Sequence, residues 1–94
     1  MRYPAARVRL ELKKLRGWRK KGKEIVRIFK FRDFVQSMTF VNKVARLAEK
    51  FCHHPDILIQ WNRVTLRLTT HDEGGLTEKD FNLAKKANRA ARSK

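Results

Sequence analysis

Pro55 constrains this chain more than any other single residue, because it separates two stretches of opposite periodicity. Before it, residues 33–52 read as a helix. Asp33 is a good N-cap and Gln36 stands three positions later, a capping-box pattern. Phe34, Met38, Val41, Ala45 and Ala48 step along one face, and Val44, Leu47 and Phe51 widen it. After Pro55 the period becomes two: Val64, Leu66 and Leu68 alternate with Thr65, Arg67 and Thr69. Proline cannot continue a helix, and it pushes the preceding residue towards extended geometry. The chain must therefore pass from helix to hairpin through "FCHHPD", residues 51–56, with two adjacent histidines at the joint.

The flanks repeat this logic. Residues 5–16 follow Pro4 with Val8, Leu12 and Leu15 at helical spacing, and Gly17 is a natural stop. "WRKKGKEIVRIFKF" reads as a hairpin from Trp18 that turns at Lys21-Gly22, with a second strand over 25–31. Ile25, Phe29 and Phe31 share one side of that strand; Arg27 falls on the same side and is expected near its edge. In the later hairpin the expected turn is Asn62-Arg63, with Trp61 ending an apolar strand. A last helix opens at Thr77, with Asp80 completing a capping box and Leu76 and Phe81 at staple positions. Phe81, Ala84, Ala87 and Ala91 then form a narrow apolar stripe. The expected order is α-β-β-α-β-β-α. That is an α+β fold in which one four-stranded antiparallel sheet carries its helices packed on one face. The 94 residues suit a single domain over 1–94, with basic, flexible ends at 1–4 and 90–94. A chain this short gains from burying surface against copies of itself.

Charge narrows the partners. Twenty-four Lys and Arg oppose nine Asp and Glu, a formal net charge of +15. Such an excess favours polyanions, so weak non-specific nucleic-acid binding is expected at low salt. Six of the nine acids lie between Glu49 and Asp80, and all three histidines share that window. The basic residues crowd the ends instead. No apolar run approaches a membrane span, and the first ten residues lack the apolar core of a secretory signal. The single cysteine, Cys52, excludes an internal disulfide framework and fits a reducing, cytoplasmic setting.

The histidines carry the chemistry. His53 and His54 leave the long helix and enter the third strand, whereas His71 ends the fourth. In an antiparallel hairpin the start of one strand lies beside the end of the other, so the three are expected at one end of the sheet. Glu49 precedes His53 by one helical turn and is within reach of its imidazole. Imidazoles titrate near neutral pH, so two of them can give and take protons in one reaction. Other readings compete. The histidine pair could simply face the helix dipole. Zinc is the next option, but the spacing of His53, His71 and a carboxylate matches no closed or catalytic zinc motif. Asp80 is explained by its capping position alone, Glu49 by solvent, Trp61 by the core, and Cys52 as a half-buried structural thiol.

The spacing E-x3-H-H-P-x5-W-x9-H-x8-D, spelled by Glu49, His53, His54, Pro55, Trp61, His71 and Asp80, resembles the signature of the pterin-4a-carbinolamine dehydratase family. "GW" at 17–18, "IVRIFKFRDF" at 25–34, "VARLAEKFCHHP" at 44–55 and "LTTHDEGGLTEKDFNLA" at 68–84 are similar to it as well. The strong basic charge and the Lys/Arg-rich tail depart from it. The resemblance implies dehydration of a 4a-hydroxytetrahydropterin to the quinonoid dihydropterin, recycling a tetrahydrobiopterin-type cofactor, with no metal and no bound cofactor. It implies His53 and His71 as acid and base, His54, Pro55 and Trp61 against the pterin, and Glu49 and Asp80 in support. It also implies a homodimer or homotetramer. The competing expectation is a basic regulatory module on the same scaffold, binding nucleic acid or protein.

Overall fold

The two hairpins meet through their second strands. In the computed structural model, which describes residues 1–92, β1 (Arg19–Lys21) pairs with β2 (Glu24–Lys30) and β3 (Asp56–Gln60) with β4 (Arg63–Leu68). Antiparallel pairing of β2 with β4 joins them into one sheet of order β1-β2-β4-β3. Of the two central strands, β4 alternates apolar and polar residues. Ile25 and Phe29 of β2 face the same way as Val64, Leu66 and Leu68 of β4, and all five are buried. The edge strand β1 is only Arg-Lys-Lys and fully exposed, which discourages pairing with further strands. The helices α1 (Ala5–Lys13), α2 (Phe34–Phe51) and α3 (Glu78–Arg92) supply the rest of the core, with a single 3₁₀ turn at His71–Glu73. The architecture and element order are those expected.

Several local readings are corrected. Both tight turns sit one residue from their expected places, at Gly22-Lys23 and Trp61-Asn62. The register thereby shifts by two, which leaves every side chain on its expected face, so alternation alone could not distinguish the choices. Asn62 decides the second turn: its carbonyl accepts from the Phe31 amide at 2.8 Å, and its side-chain amide donates to the Phe31 carbonyl at 3.3 Å. The first residue of each turn has positive φ, 61° at Gly22 and 50° at Trp61. Trp61 therefore does not end a strand in the core; it is a 61 % exposed turn residue in a geometry that ordinarily favours glycine.

The first helix stops at Lys13 rather than Arg16, though Leu15 is still buried. Gly17, at φ 84°, lies where an added Cβ would stand 2.5 Å from Arg27 Nε, so the close approach needs glycine. Arg27 is not at a sheet edge. From central β2 its guanidinium donates to the Arg16 carbonyl at 2.9 Å and Asn88 Oδ1 at 2.7 Å, and it covers the Phe29 ring. Burial, its leading cause, pulls the Arg27 pKa below the usual guanidinium value. Trp18 precedes β1 and is buried, its indole N–H donating to the same Asn88 oxygen at 2.8 Å. Phe31 follows β2 and packs on Phe40 at 5.0 Å between centroids.

The long helix is rotated from its expected face. Ser37, Phe40, Val44 and Ala48 are buried, whereas Phe34 and Ala45 point outwards. Ser37 is tolerated there because its hydroxyl donates to the Asp33 carbonyl at 3.1 Å. Asp33 caps the helix as expected, accepting from the Gln36 amide at 2.9 Å. That bond, the leading cause, holds the Asp33 carboxyl below the usual carboxylate range. The return bond from Gln36 goes to the Arg32 amide rather than to Asp33. Residues 1–4 lie against the loop after β4, with the Tyr3 amide on the Leu76 carbonyl at 2.7 Å and the Tyr3 ring stacked on Phe81. At the other end α3 runs to Arg92, and residues 93–94 lie outside the described residues. Among the described residues no helix is long and apolar enough to cross a membrane.

The helix phase makes a direct prediction. Phe40, 2 % exposed, should cost about 3–5 kcal/mol of unfolding free energy when changed to Ala. Phe34, 47 % exposed, should cost about 1 kcal/mol. Urea unfolding of the two variants checks the order; the face first read from periodicity gives the reverse.

Candidate active site

The end of α2 sets the site. Cys52 takes a left-handed conformation at φ 50°, the Cys52 amide bonds the Glu49 carbonyl, and the His53 amide bonds the Ala48 carbonyl. These are the two bonds of a Schellman stop, with cysteine where glycine is usual. The reversal at Cys52 sends consecutive histidines in different directions. His54, not His53, meets Glu49, with Nε2 2.6 Å from Oε2. His53 turns inwards and places Nε2 2.6 Å from Asp80 Oδ1. The expected Glu49–His53 pairing is thus corrected: a simple helical i, i+4 count fails because the helix has ended before His53. Cys52 itself is exposed rather than half-buried.

Asp80 lies at the start of α3, and its carboxylate is fully buried. Its Oδ2 accepts from the Thr77 amide at 2.9 Å, closing the expected capping box, and from the Thr70 hydroxyl at 2.8 Å. The directions of the remaining bonds follow by counting protons. Thr70 spends its one hydroxyl proton on Asp80, so the 2.8 Å contact between the two hydroxyls has Thr77 donating to Thr70. The Thr77 oxygen in turn accepts from the Lys79 amide at 3.2 Å. Where the Asp80 carboxylate accepts in this contact, the shared proton stands on His53 Nε2. Among the described residues, His53 Nδ1 takes no part in this network.

His71 follows Thr70 directly and begins the 3₁₀ turn. It is exposed, and among the described residues its imidazole has no hydrogen-bond partner. The pairing of Asp56 with Arg67 puts residues 53–54 and 69–71 at the same end of the β3–β4 hairpin. The fold therefore gathers His53, His54, Glu49, Asp80 and His71 at that end, with the half-buried Pro55 leading into β3. Trp61 is not gathered there. It stands at the opposite end of β3, about 16 Å away along a five-residue strand. Thr70 was not anticipated from sequence; a buried threonine immediately before an exposed histidine is the signal that marks it. A cleft of about 400 Å³ opens beside the network, lined in part by Tyr3, Thr70, Asp72 and Thr77, but not by the histidines. Among the described residues no three His, Cys, Asp or Glu side chains are grouped to hold a metal ion.

The two imidazole–carboxylate pairs differ in environment. His53 and Asp80 are 11 % and 0 % exposed; His54 and Glu49 are 61 % and 79 % exposed. Removing one partner of a buried pair strands the other, so Asp80→Ala should destabilise by about 3–5 kcal/mol. Glu49→Gln should cost less than about 1 kcal/mol, as for exposed ion pairs in general. Chemical denaturation of both variants checks the ranking.

Comparison with known proteins gives the family. The family described as Pterin 4 alpha carbinolamine dehydratase matches residues 1–90. A protein of Thermomicrobium roseum, provisionally named a pterin-4-alpha-carbinolamine dehydratase, is 52 % identical over 75 residues, covering 80 % of this chain and 81 % of its own. A protein of Sulfolobus acidocaldarius with the same provisional name is 42 % identical over 89 residues, covering 95 % of this chain and 98 % of its own. A crystal structure titled transcriptional coactivator/pterin dehydratase, from Brucella melitensis, superposes with a TM-score of 0.94 at 39 % identity, covering 97 % of this chain and 99 % of that one. The chain belongs to the pterin-4-alpha-carbinolamine dehydratase family.

Proposed function

We propose that the chain converts a 4a-hydroxytetrahydropterin to the quinonoid dihydropterin and water, recycling a tetrahydrobiopterin-type cofactor. The observation that carries this reading is the buried His53–Asp80 pair at the sheet end where His71 also stands. The reaction breaks the C4a–O bond, puts a proton on the departing oxygen and removes one from N5. It therefore needs one acid and one base, with no net change in protons or electrons. His53 is held by Asp80 through Nε2 and works through Nδ1; His71, unheld, supplies the second imidazole. His54, set by Glu49, and Pro55 flank the pterin. Within one chain Trp61 is too distant along β3 to join them, so the proposed site omits it.

Self-association is part of the proposal, as a dimer or tetramer. Ile28 of β2 and Leu58 of β3 both stand opposite Thr65 on the sheet face turned away from the core and are left exposed, a surface that a second copy would cover. The proposed setting is the cytoplasm, where the exposed, unpaired Cys52 stays reduced.

Dehydration of a synthetic 4a-carbinolamine tests the reading. The chain should accelerate it over buffer. His71→Ala and His53→Gln, the latter keeping a donor for Asp80, should each lower turnover by about 10²–10⁴-fold. His71→Ala should leave the unfolding midpoint unchanged. A wild-type rate equal to buffer, or full activity in both variants, removes the proposal.

A further inference from the structure

The antiparallel seam between α2 and α3 forms a groove of about 460 Å³ whose walls carry only positive charge. Lys43, Arg46 and Lys50 line it from α2, and Lys86 and Arg89 from α3; no Asp or Glu is among its lining residues. Arg46, Lys50, Lys86 and Arg89 form no ion pair among the described residues. The floor includes Phe51, whose ring is approached by Lys50 Nζ at 5.5 Å and Lys86 Nζ at 4.9 Å from its centroid. The nearest acid along α2, Glu49, is engaged by His54.

The arrangement selects among anions. The cations at 43, 46 and 50 run for about 10 Å along one helix, facing a second row on the other. Two parallel rows suit a chain of phosphates; a small polyphosphate calls for donors converging on a point. A membrane surface calls for apolar side chains projecting beyond the charges. Here the apolar groups form the floor, with ammonium groups over Phe51. Those ammonium groups also occupy the positions from which a base would stack on the ring. We propose that this seam binds the phosphate backbone of nucleic acid, independently of sequence. The whole-chain charge of +15 predicts affinity for polyanions; the groove assigns it a place.

Fluorescence anisotropy with labelled 20-nucleotide single strands and duplexes of several sequences tests this on the full chain. Affinity should vary little with sequence. It should fall about 10²-fold between 50 and 200 mM salt, as four phosphate contacts from Arg46, Lys50, Lys86 and Arg89 require. The double variant Lys86→Glu/Arg89→Glu should weaken binding by about 50-fold or more and flatten the salt slope. Lys20→Glu/Lys21→Glu changes the net charge equally on β1 and should weaken it less than about fivefold. Far-UV circular dichroism and the melting temperature control for folding of both variants. Equal losses in the two variants would mean diffuse attraction to the whole surface and would overturn the site. So would no binding at 50 mM salt, or binding to phosphatidylserine vesicles but not to oligonucleotides.

Discussion

One buried carboxylate holds three parts of this molecule in register. Asp80 closes the N-terminus of α3 through the Thr77 amide, ties the end of β4 through the Thr70 hydroxyl, and receives the chain leaving α2 through His53. A fully buried carboxylate without such partners would be costly to keep. With them, each bond restricts a different element, and the junction of two helices and the sheet gains a single geometry. The same bonds decide which histidine faces inwards and which of its nitrogens meets Asp80. Asp80 thus caps α3 and holds His53 with one carboxylate, and the proposed site rests on the same group.

How much of this was legible in the sequence depended on the range of the determining interaction. Local signals read true: the Asp33 and Thr77 caps, the break at Pro55 and the alternation of β4 are each set within a few residues. The phase of α2 did not, because apolar side chains cover much of its circumference. Only packing against the sheet selects Phe40 over Phe34. The turns were displaced because two registers present identical faces, and Asn62 chooses between them through bonds to Phe31, thirty-one residues away. At the sheet end, the shared place of the three histidines was readable from the hairpin, but their partners were not. The left-handed turn at Cys52 exchanges the expected neighbours, giving Glu49 to His54 and freeing His53 for Asp80. Thr70 was invisible because its role lies in closing a hydrogen-bond chain.

The cationic seam and the proposed site draw on different residues of the fold. The acids concentrated between Glu49 and Asp80 in sequence gather around the histidine end of the sheet, where they pair with imidazoles and cap helices. Arg46, Lys50, Lys86 and Arg89 of the α2–α3 seam form no ion pair among the described residues. That separation explains how an ordinary dehydratase signature coexists with a net charge of +15.

The central claim is that His53 and Asp80 act as one buried unit. A double-mutant cycle of His53→Ala and Asp80→Asn, read by equilibrium unfolding, measures it most directly. Residues in one hydrogen-bond network should couple by at least about 1 kcal/mol, whereas independent sites add within about 0.5 kcal/mol. A clear coupling of that size is the result the network requires. Strict additivity of the two changes would contradict it.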